Sequence, residues 1–335
     1  PIISSSQSIC YASSPELLTM DVAPTGGGDI SYSYEWQSSL NGSDWNALSE
    51  NGITYQSNTL TTSTYFRLSA TSSFDCGPIY SEPVYIEVYS PLESGEISSS
   101  QNICYGTVPA ELSFNVASSG ADGSFTYLWE QSTDDILYTP SSQFNTGTTY
   151  QSESLTESTY YRVQVSSTYG CGIEFTAPIF VTVYSPLLPG LIGESEDLCF
   201  DSSPSSHDLL TPASGADGNY SYLWEESVDG LTFASASQLN TNTSYQAESL
   251  DQSTYYRLEI SSDYGCGTVY TNIVKDSVYN ELTAPIISSS QSICYASSPE
   301  LLTMDIAPTG GGDVSYNYEW QSSLNGSDWN ALSEN

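Results

Sequence analysis

The residues with the most evident chemistry in this 335-residue chain are its seven cysteines, which recur at regular intervals. A first set comprises Cys10, Cys104, Cys199 and Cys294, and a second set follows after 66 or 67 positions at Cys76, Cys171 and Cys266. Zinc sites need clustered ligands, whereas these cysteines are isolated and the chain has a single histidine, His207. We therefore predict one disulfide per repeat, namely Cys10–Cys76, Cys104–Cys171 and Cys199–Cys266, with Cys294 unpaired in this stretch of sequence. Because disulfides persist in oxidising compartments, they predict an extracellular or periplasmic location.

The cationic side chains form a second candidate group. They are Lys275 and three arginines, each of which follows a Thr and two aromatic residues, at Arg67, Arg162 and Arg257. These arginines could contact a ligand, or they could pair with carboxylates on neighbouring strands, such as Glu130 for Arg162 and Glu225 for Arg257. We favour the ion pairs, which contribute at most about 1 kcal/mol when exposed.

Aspartates are a third candidate group, because carboxylates in turns can hold calcium. Asp29, Asp122 and Asp217 lie in glycine-rich turns, and Asp44, Asp134, Asp135 and Asp229 lie at expected hairpin tips. Calcium needs six or more oxygens, and no EF-hand pattern brings them together here. Turn propensity explains the aspartates without a metal, so we predict no cofactor and keep structural calcium as the open alternative.

Composition and motifs exclude several function classes. The 40 acidic residues against four Lys and Arg give a formal charge of −36, which opposes binding to nucleic acid or to an anionic membrane. No run of about 18 apolar residues is present, so we expect no direct membrane insertion. No nucleophile elbow, zinc-protease motif or phosphate loop occurs, and we predict that the protein is not an enzyme.

The strands that position these residues can be predicted from an aromatic-x-aromatic-x-Trp phrase. The phrase occurs four times and ends at Trp36, Trp129, Trp224 and Trp320. Its period of two indicates a strand with one aromatic face. Such a face could stack on a sugar, but a tryptophan at the centre of a sandwich core is the interpretation we favour. Tyr65, Tyr160 and Tyr255 fall on the opposite face, where they would either stack on a ligand or form cross-strand aromatic pairs.

The spacing of these features divides the chain into repeats at 1–90, 91–185, 186–280 and 281–335. The last segment, 281–335, reproduces the sequence of residues 1–51 with three substitutions: Val22 becomes Ile306, Ile30 becomes Val314 and Ser33 becomes Asn317. We therefore expect this sequence to be a piece of a longer tandem array. About seven short strands per repeat and a Cys-Trp-Cys order predict an all-β fold of tandem immunoglobulin-like β-sandwiches, with the disulfide moved to the opening strand. Short joints between repeats predict an extended rod.

These units resemble the immunoglobulin-like modules of long surface proteins of Bacteroidetes, including gliding-motility adhesins. The residues that carry the resemblance are Cys104, the phrase Tyr127-x-Trp129, the run 158–162 (Ser-Thr-Tyr-Tyr-Arg) and the run 170–172 (Gly-Cys-Gly). The resemblance implies export by the type IX secretion system and a place in a cell-surface filament attached to the outer membrane.

The function predicted from the sequence is a structural stalk segment of a repetitive surface adhesin, which projects a distal binding region for attachment or motility. Two alternatives are a glycan-binding array and spacer domains of a secreted hydrolase. The partners expected are neighbouring repeats of the same chain, with surface polysaccharide and the outer-membrane motility or secretion machinery as further candidates.

Overall fold

The chain is all-β. The computed structural model describes residues 1–28, 31–142, 144–312 and 315–332, so Asp29, Ile30 and Val314 lie outside the described residues. The described part of the chain holds no helix of the length and apolar character that a membrane crossing requires.

The strands of the first repeat are β1 (Ile2–Ile3), β2 (Gln7–Ile9), β3 (Leu18–Val22), β4 (Tyr32–Ser39), β5 (Asn46–Ala47), β6 (Thr54–Tyr55), β7 (Thr64–Ser72), β8 (Ile79–Tyr80) and β9 (Val84–Val88). Those of the second are β10 (Ser90–Glu93), β11 (Glu96–Ile97), β12 (Gln101–Ile103), β13 (Leu112–Val116), β14 (Ser119–Ala121), β15 (Phe125–Ser132), β16 (Thr139–Pro140), β17 (Thr149–Tyr150), β18 (Thr159–Ser167), β19 (Ile173–Phe175) and β20 (Ile179–Val183).

The third repeat has the same order: β21 (Ser185–Leu188), β22 (Leu191–Ile192), β23 (Asp197–Leu198), β24 (His207–Thr211), β25 (Ser214–Ala216), β26 (Tyr220–Ser227), β27 (Ala234–Ser235), β28 (Ser244–Tyr245), β29 (Thr254–Ser262), β30 (Thr268–Tyr270) and β31 (Val274–Val278). The last segment contains β32 (Ile286–Ile287), β33 (Met304–Ile306), β34 (Gln321–Ser322) and β35 (Asn330–Ala331).

Each of the first three repeats folds around two main sheets. In the first repeat one sheet has the order β1-β3-β6 and the other has the order β2-β9-β7-β4-β5, with β8 also on β7. The second and third repeats reproduce this order, and each adds a two-stranded sheet, β10-β14 in the second and β21-β25 in the third. The pairing of β2 with β9 is parallel, as is that of β12 with β20 and of β23 with β31. This two-sheet arrangement confirms the predicted immunoglobulin-like β-sandwich.

The opening segment is one place where the structure differs from the sequence prediction. The predicted opening strand is divided in two, because β1 and β2 belong to different sheets and are separated by a short run around Ser5. The chain therefore crosses from one sheet to the other before Cys10. As a result, Cys10 follows a strand that runs parallel to the last strand of the repeat.

The core of each sandwich forms around its tryptophan. Along β18 the residues alternate strictly between buried and half-buried, which is the period-two pattern of a strand with one face in the core. Trp129 is fully buried and stacks on Tyr150, with ring centroids 5.7 Å apart, while its indole N–H donates to the Gly147 carbonyl at 3.0 Å. Trp36 and Trp224 are equally buried, so the prediction that these rings belong to the core is confirmed.

Two compact units divide the chain, one covering Pro1–Val183 and the other Tyr184–Asn335. The first unit contains two sandwiches, and each has its own cluster of buried apolar residues. In chain order, the last buried residue of the first cluster is Ile86 and that of the second is Val181. The apolar cluster of the third repeat ends at Val274. None of these three clusters includes a residue of the last segment, so each sandwich has a core of its own.

Candidate functional site at the joint between repeats

The disulfide in the first unit joins two repeats. Cys10 of the first repeat is bonded to Cys171 of the second, 161 positions along the chain, with Cα atoms 5.2 Å apart. Cys104 and Cys266 are also disulfide-bonded, whereas Cys76, Cys199 and Cys294 are free and exposed. The predicted pairings Cys10–Cys76, Cys104–Cys171 and Cys199–Cys266 are therefore wrong.

The length of strand β7 explains why the pairing within a repeat fails. Cys10 follows Ile9, which lies opposite Val88 and hence close to the start of β7 at Thr64. Cys76 lies beyond the other end of β7, in the hairpin that leads to β8. Nine residues of strand span roughly 30 Å, whereas a disulfide needs Cα atoms within about 7 Å. The two cysteines of one repeat therefore lie at opposite ends of the sandwich.

Two further contacts accompany the disulfide at this joint. The Tyr169 hydroxyl donates a hydrogen bond to the Ser8 carbonyl at 2.7 Å. The Tyr169 ring also meets the Tyr89 ring edge to face, with centroids 5.2 Å apart. We call Ser8, Ile9, Cys10 and Tyr89 the strand half of the joint, and Tyr169, Gly170 and Cys171 the hairpin half.

Backbone structure positions both halves. In the strand half, the Tyr89 N–H donates to the Ile9 carbonyl at 2.9 Å, which continues the parallel pairing of β2 and β9. In the hairpin half, Gly170 has a φ of +85° and its N–H donates to the Ser167 carbonyl. That left-handed backbone is easy for glycine, and it places Tyr169 and Cys171 at the tip of the hairpin.

The connecting segment is fixed to the repeat that follows it. β10 pairs with β14, and a Cβ on Gly120 would lie 1.8 Å from the Pro91 carbonyl oxygen. A side chain at this position would therefore separate the two strands. The third repeat has the same arrangement, in which a Cβ on Gly215 would lie 1.9 Å from the Pro186 oxygen.

The aromatic contact of the joint recurs between Tyr184 and Tyr264, whose rings meet edge to face with centroids 5.1 Å apart. These two residues follow Tyr89 and Tyr169 by 95 positions. The sequence signal for this contact is a tyrosine that ends each repeat and an aromatic residue two positions before the second cysteine. The two tyrosines of each contact are 80 positions apart, so no local pattern connects them.

The arginines lie between aromatic rings and beside carboxylates. Arg162 Nε is 2.8 Å from Glu130 Oε2, and its guanidinium stacks between Tyr138 and Phe175 at 3.8 and 4.2 Å from the ring centroids. Arg257 is likewise 2.7 Å from Glu225, so both predicted ion pairs are confirmed.

Arg67 shows the same stacking without the ion pair. Its partner across the strands is Gln37, whose Oε1 accepts from Arg67 Nε at 2.8 Å, and its guanidinium lies between Trp45 and Tyr80. The three arginines hold aromatic residues of the sheet together, which assigns them a structural role.

The tyrosines on the opposite face form cross-strand contacts. Tyr65 pairs with Tyr85 at 4.6 Å between ring centroids, and Tyr160 pairs with Phe180 at 4.3 Å. The Lys275 ammonium lies 5.6 Å from the Tyr255 ring. The prediction of cross-strand pairing is thus confirmed for Tyr65 and Tyr160.

The candidate calcium aspartates act as hydrogen-bond acceptors in turns. Asp229 Oδ1 accepts from the backbone N–H groups of Thr232 and Leu231, and these bonds lower its pKa to about 2. The equivalent Asp134 accepts from the N–H groups of Leu137 and Ile136, which also lower its pKa.

The aspartates in the glycine-rich turns make a different bond. Asp122 and Asp217 accept at 2.7 Å from the serine hydroxyls of Ser167 and Ser262, and these bonds lower the pKa of each aspartate. Across the described ranges, no three His, Cys, Asp or Glu side chains form a cluster that could hold a metal ion.

A buried ionisable pair in the third repeat was not anticipated from the sequence. His207 Nε2 and Asp276 Oδ2 are 2.9 Å apart, with the side chains 3% and 0% exposed. The equivalent residues of the second repeat, Leu112 and Val181, are apolar and fully buried. An aligned comparison of repeats would have shown that both substitutions fall on core positions.

Comparison with protein families identifies the repeat unit. The domain of unknown function DUF8696 matches at residues 1–90, 93–185, 188–280 and 283–335. The chain belongs to this family. No curated protein matches the chain.

Several solved structures are similar to the chain at low identity. The three N-terminal domains of the bacteriophage RB49 Highly Immunogenic Outer Capsid protein share 13% identity over 80% of this chain and 95% of that one, with a TM-score of 0.38. Extracellular domains 3–5 of Drosophila OTK share 13% identity over 82% and 94%, with a TM-score of 0.33. Immunoglobulin domains 1–4 of Sidekick-1 share 12% over 84% and 74%, with a TM-score of 0.29.

The DUF8696 chain is therefore a tandem array of immunoglobulin-like domains with disulfide bonds. Disulfides form and persist in oxidising compartments, which indicates an extracellular protein. An array of this kind is typical of structural and adhesion-type modules.

Proposed function

We propose that this chain is a stalk segment of a long cell-surface adhesin, in which the repeats add length and a region elsewhere in the protein makes the adhesive contact. The observation that carries the proposal is the covalent joint between Cys10 and Cys171. A bond between successive domains limits their relative motion, whereas a bond inside one domain only stabilises that domain.

The remaining joint contacts support the same role. Tyr169 touches Ser8 and Tyr89 of the preceding repeat, and the connecting strand β10 is paired to the following repeat with Gly120 against Pro91. These contacts leave little free linker between domains. A joint of this kind transmits force along the chain, which a stalk must do and a set of independent binding domains need not do.

Small-angle scattering on the oxidised chain tests the proposal. Domains of about 35 to 40 Å joined end to end predict a maximum dimension of roughly 120 to 140 Å. The dimension should persist at high salt, because the Cys10–Cys171 disulfide and the paired connecting strands do not depend on repulsion between acidic domains. A maximum dimension near 60 Å would mean that the repeats fold back on one another, and the stalk would have to be abandoned.

The resemblance of the repeats to modules of Bacteroidetes surface proteins leads us to propose export by the type IX route and attachment at the outer membrane. Protease treatment of intact producing cells should digest the protein, and inactivation of the secretion machinery should leave it inside the cells. Protection in intact wild-type cells would contradict a surface location.

A further inference from the structure

A pocket in the third repeat reaches further into its sandwich than the equivalent pocket in the second repeat. The third-repeat pocket has a volume of about 420 Å³, and its inner end is lined by Tyr245, Ala247 and Tyr256, which are all buried. The equivalent pocket of the second repeat has a volume of about 340 Å³ and is lined neither by Ser152 nor by Tyr161, the counterparts of Ala247 and Tyr256.

The replacement of a serine by an alanine accounts for this difference. In the second repeat the hydroxyls of Tyr161 and Ser152 are hydrogen-bonded at 2.8 Å. In the third repeat Ala247 stands in place of the serine, and the buried Tyr256 hydroxyl has no hydrogen-bond partner among the described residues. The Tyr256 ring meets the neighbouring tyrosine ring at 5.6 Å and 44°, and the Tyr161 ring meets the equivalent ring at 5.7 Å and 44°. The Tyr256 hydroxyl therefore points at Ala247, on the wall of the pocket.

Carboxylates lie at both ends of the third-repeat pocket. Glu226 is half-buried beside the inner end, where its Oε2 lies 3.5 Å from the Tyr245 hydroxyl. Glu248 and Asp251 are exposed at the mouth. The residues that line this pocket include no lysine, arginine or histidine. A pocket with carboxylates and no cationic side chain favours a positively charged ligand.

The arrangement of the carboxylates suits an extended cation better than a metal ion. Among the residues that the structure describes, no three acidic, histidine or cysteine side chains gather closely enough to hold a metal ion, which needs its ligands at one point. The wall of the pocket also carries the apolar side chains of Val228, Ala234 and Leu250. An aliphatic stem with ammonium groups matches a surface of this kind, because its methylenes pack on apolar side chains while its charges meet carboxylates.

We propose that the third-repeat pocket binds a linear aliphatic polyamine, of which a diamine is the shortest form. One ammonium group lies at the inner end, where it donates hydrogen bonds to the Tyr256 hydroxyl oxygen and to the Glu226 carboxylate. A second ammonium group lies at the mouth beside Glu248 and Asp251. Glu226 is essential to this arrangement, because an ammonium group buried without a counter-charge is strongly disfavoured. The site goes beyond the stalk role and does not depend on it.

Calorimetric titration of the full chain with three compounds tests the proposal. Cadaverine, pentylamine and pentanediol share a stem of the same length and carry two, one and no ammonium groups. Cadaverine should bind saturably at one site per chain, pentylamine should bind at least about tenfold more weakly because it lacks one charge-assisted contact, and pentanediol should not bind. Absence of saturable cadaverine binding below about 1 mM would overturn the proposal.

Two variants separate the pocket from the acidic surface as a whole. Ala247→Ser restores the hydroxyl that bonds the tyrosine in the second repeat, and Glu226→Gln introduces the residue that the second repeat has there. Each should weaken cadaverine binding at least about tenfold, and the second repeat shows that the sandwich accommodates both residues. Glu111→Gln is the matched control, since it removes one exposed carboxylate outside both pockets. Equal losses in all three variants, or no loss in Ala247→Ser, would mean that cadaverine binds only the acidic surface and would overturn the proposal.

Transfer of the site to the second repeat provides a test by gain of binding. The triple change Gln131→Glu/Ser152→Ala/Thr156→Asp gives the second repeat the residues that distinguish the third. It should raise the number of cadaverine molecules bound per chain from one to two. The aromatic NMR signals of Tyr256 should shift with cadaverine in the unaltered chain, and those of Tyr161 should shift only in the triple variant. A folded triple variant that still binds one cadaverine would contradict the assignment of these residues to the site.

Discussion

His207 Nε2 lies 2.9 Å from Asp276 Oδ2 inside the third sandwich, where the equivalent residues of the second sandwich are Leu112 and Val181. The His207 ring packs against Tyr256, with ring centroids 4.9 Å apart. A polar pair thus replaces an apolar pair in a core that is otherwise alike. Buried pairs of this kind seldom stabilise a fold more than the apolar residues that they replace.

The double change His207→Leu/Asp276→Val should leave the third repeat as stable as before or more stable by about 1 to 4 kcal/mol, because it restores the apolar pair of the second repeat. The single change His207→Leu should destabilise the repeat by about 3 to 5 kcal/mol, since it leaves the Asp276 carboxylate buried without its partner. Denaturant unfolding measures both effects. Equal losses in the single and the double variant would show that the pair itself is required.

Removing the disulfide of the joint should loosen the joint without unfolding either sandwich. Cys10 and Cys171 lie outside the apolar clusters, so Cys10→Ser/Cys171→Ser should change the unfolding free energy of each sandwich by less than about 1 kcal/mol. Amide hydrogen exchange in the hairpin half should become about tenfold faster or more. Cys76→Ser is the matched control and should change neither quantity; a large loss of core stability in the double variant would contradict the assignment of the bond to the joint.

The contribution of the Arg162–Glu130 ion pair to stability can be separated from that of aromatic stacking. The first repeat suggests the substitution, because a glutamine stands there in place of the glutamate. Glu130→Gln places in the second repeat the glutamine that Gln37 provides in the first, and it should cost less than about 1 kcal/mol. Arg162→Met should cost about 1 to 3 kcal/mol, because Glu130 is left nearly buried without a cation and the stacking on Tyr138 is lost.

A double-mutant cycle completes this test. In Arg162→Met/Glu130→Gln, the penalty for an unpaired carboxylate disappears, so most of the loss from Arg162→Met should be recovered. Unfolding of the second repeat by urea gives all four free energies. Strictly additive losses would mean that Arg162 stabilises the sheet through stacking alone.

Asp229 should titrate with a pKa of about 2, well below the ordinary value of 3.8. A lowered folded-state pKa contributes stability that is present above the unfolded value and is lost as the pH falls through the folded value. The turn should therefore stay intact down to about pH 4 and weaken as the pH falls to about 2. Carboxyl chemical shifts of Asp229 and the amide signals of Leu231 and Thr232 report the transition. Asp229→Asn should abolish this pH dependence at both amides.

Much of the fold could be predicted from local patterns. The aromatic-x-aromatic-x-Trp phrase predicted a strand with one aromatic face, and it predicted that Trp129 belongs to the core. Both follow from the geometry of a strand, in which alternate side chains point to opposite faces. The cross-strand partners Glu130 and Glu225 could be named in advance because the strand that carries the tryptophan and the strand that carries the arginine are neighbours in an immunoglobulin-like sheet.

The cysteine pairing could not be predicted in the same way. The sequence by itself determined that each complete repeat contains two cysteines about 66 residues apart and that these isolated cysteines are suited to disulfides and not to a metal site. It did not determine which sulfur atoms meet, because a disulfide depends on distances between Cα atoms and spacing along the chain does not report them. Only the tertiary structure decided this point: the length of β7 separates Cys10 from Cys76, and the joint brings Cys10 to Cys171. The same limit applies to His207 and Asp276, which are 69 positions apart and become neighbours only when two sheets pack face to face.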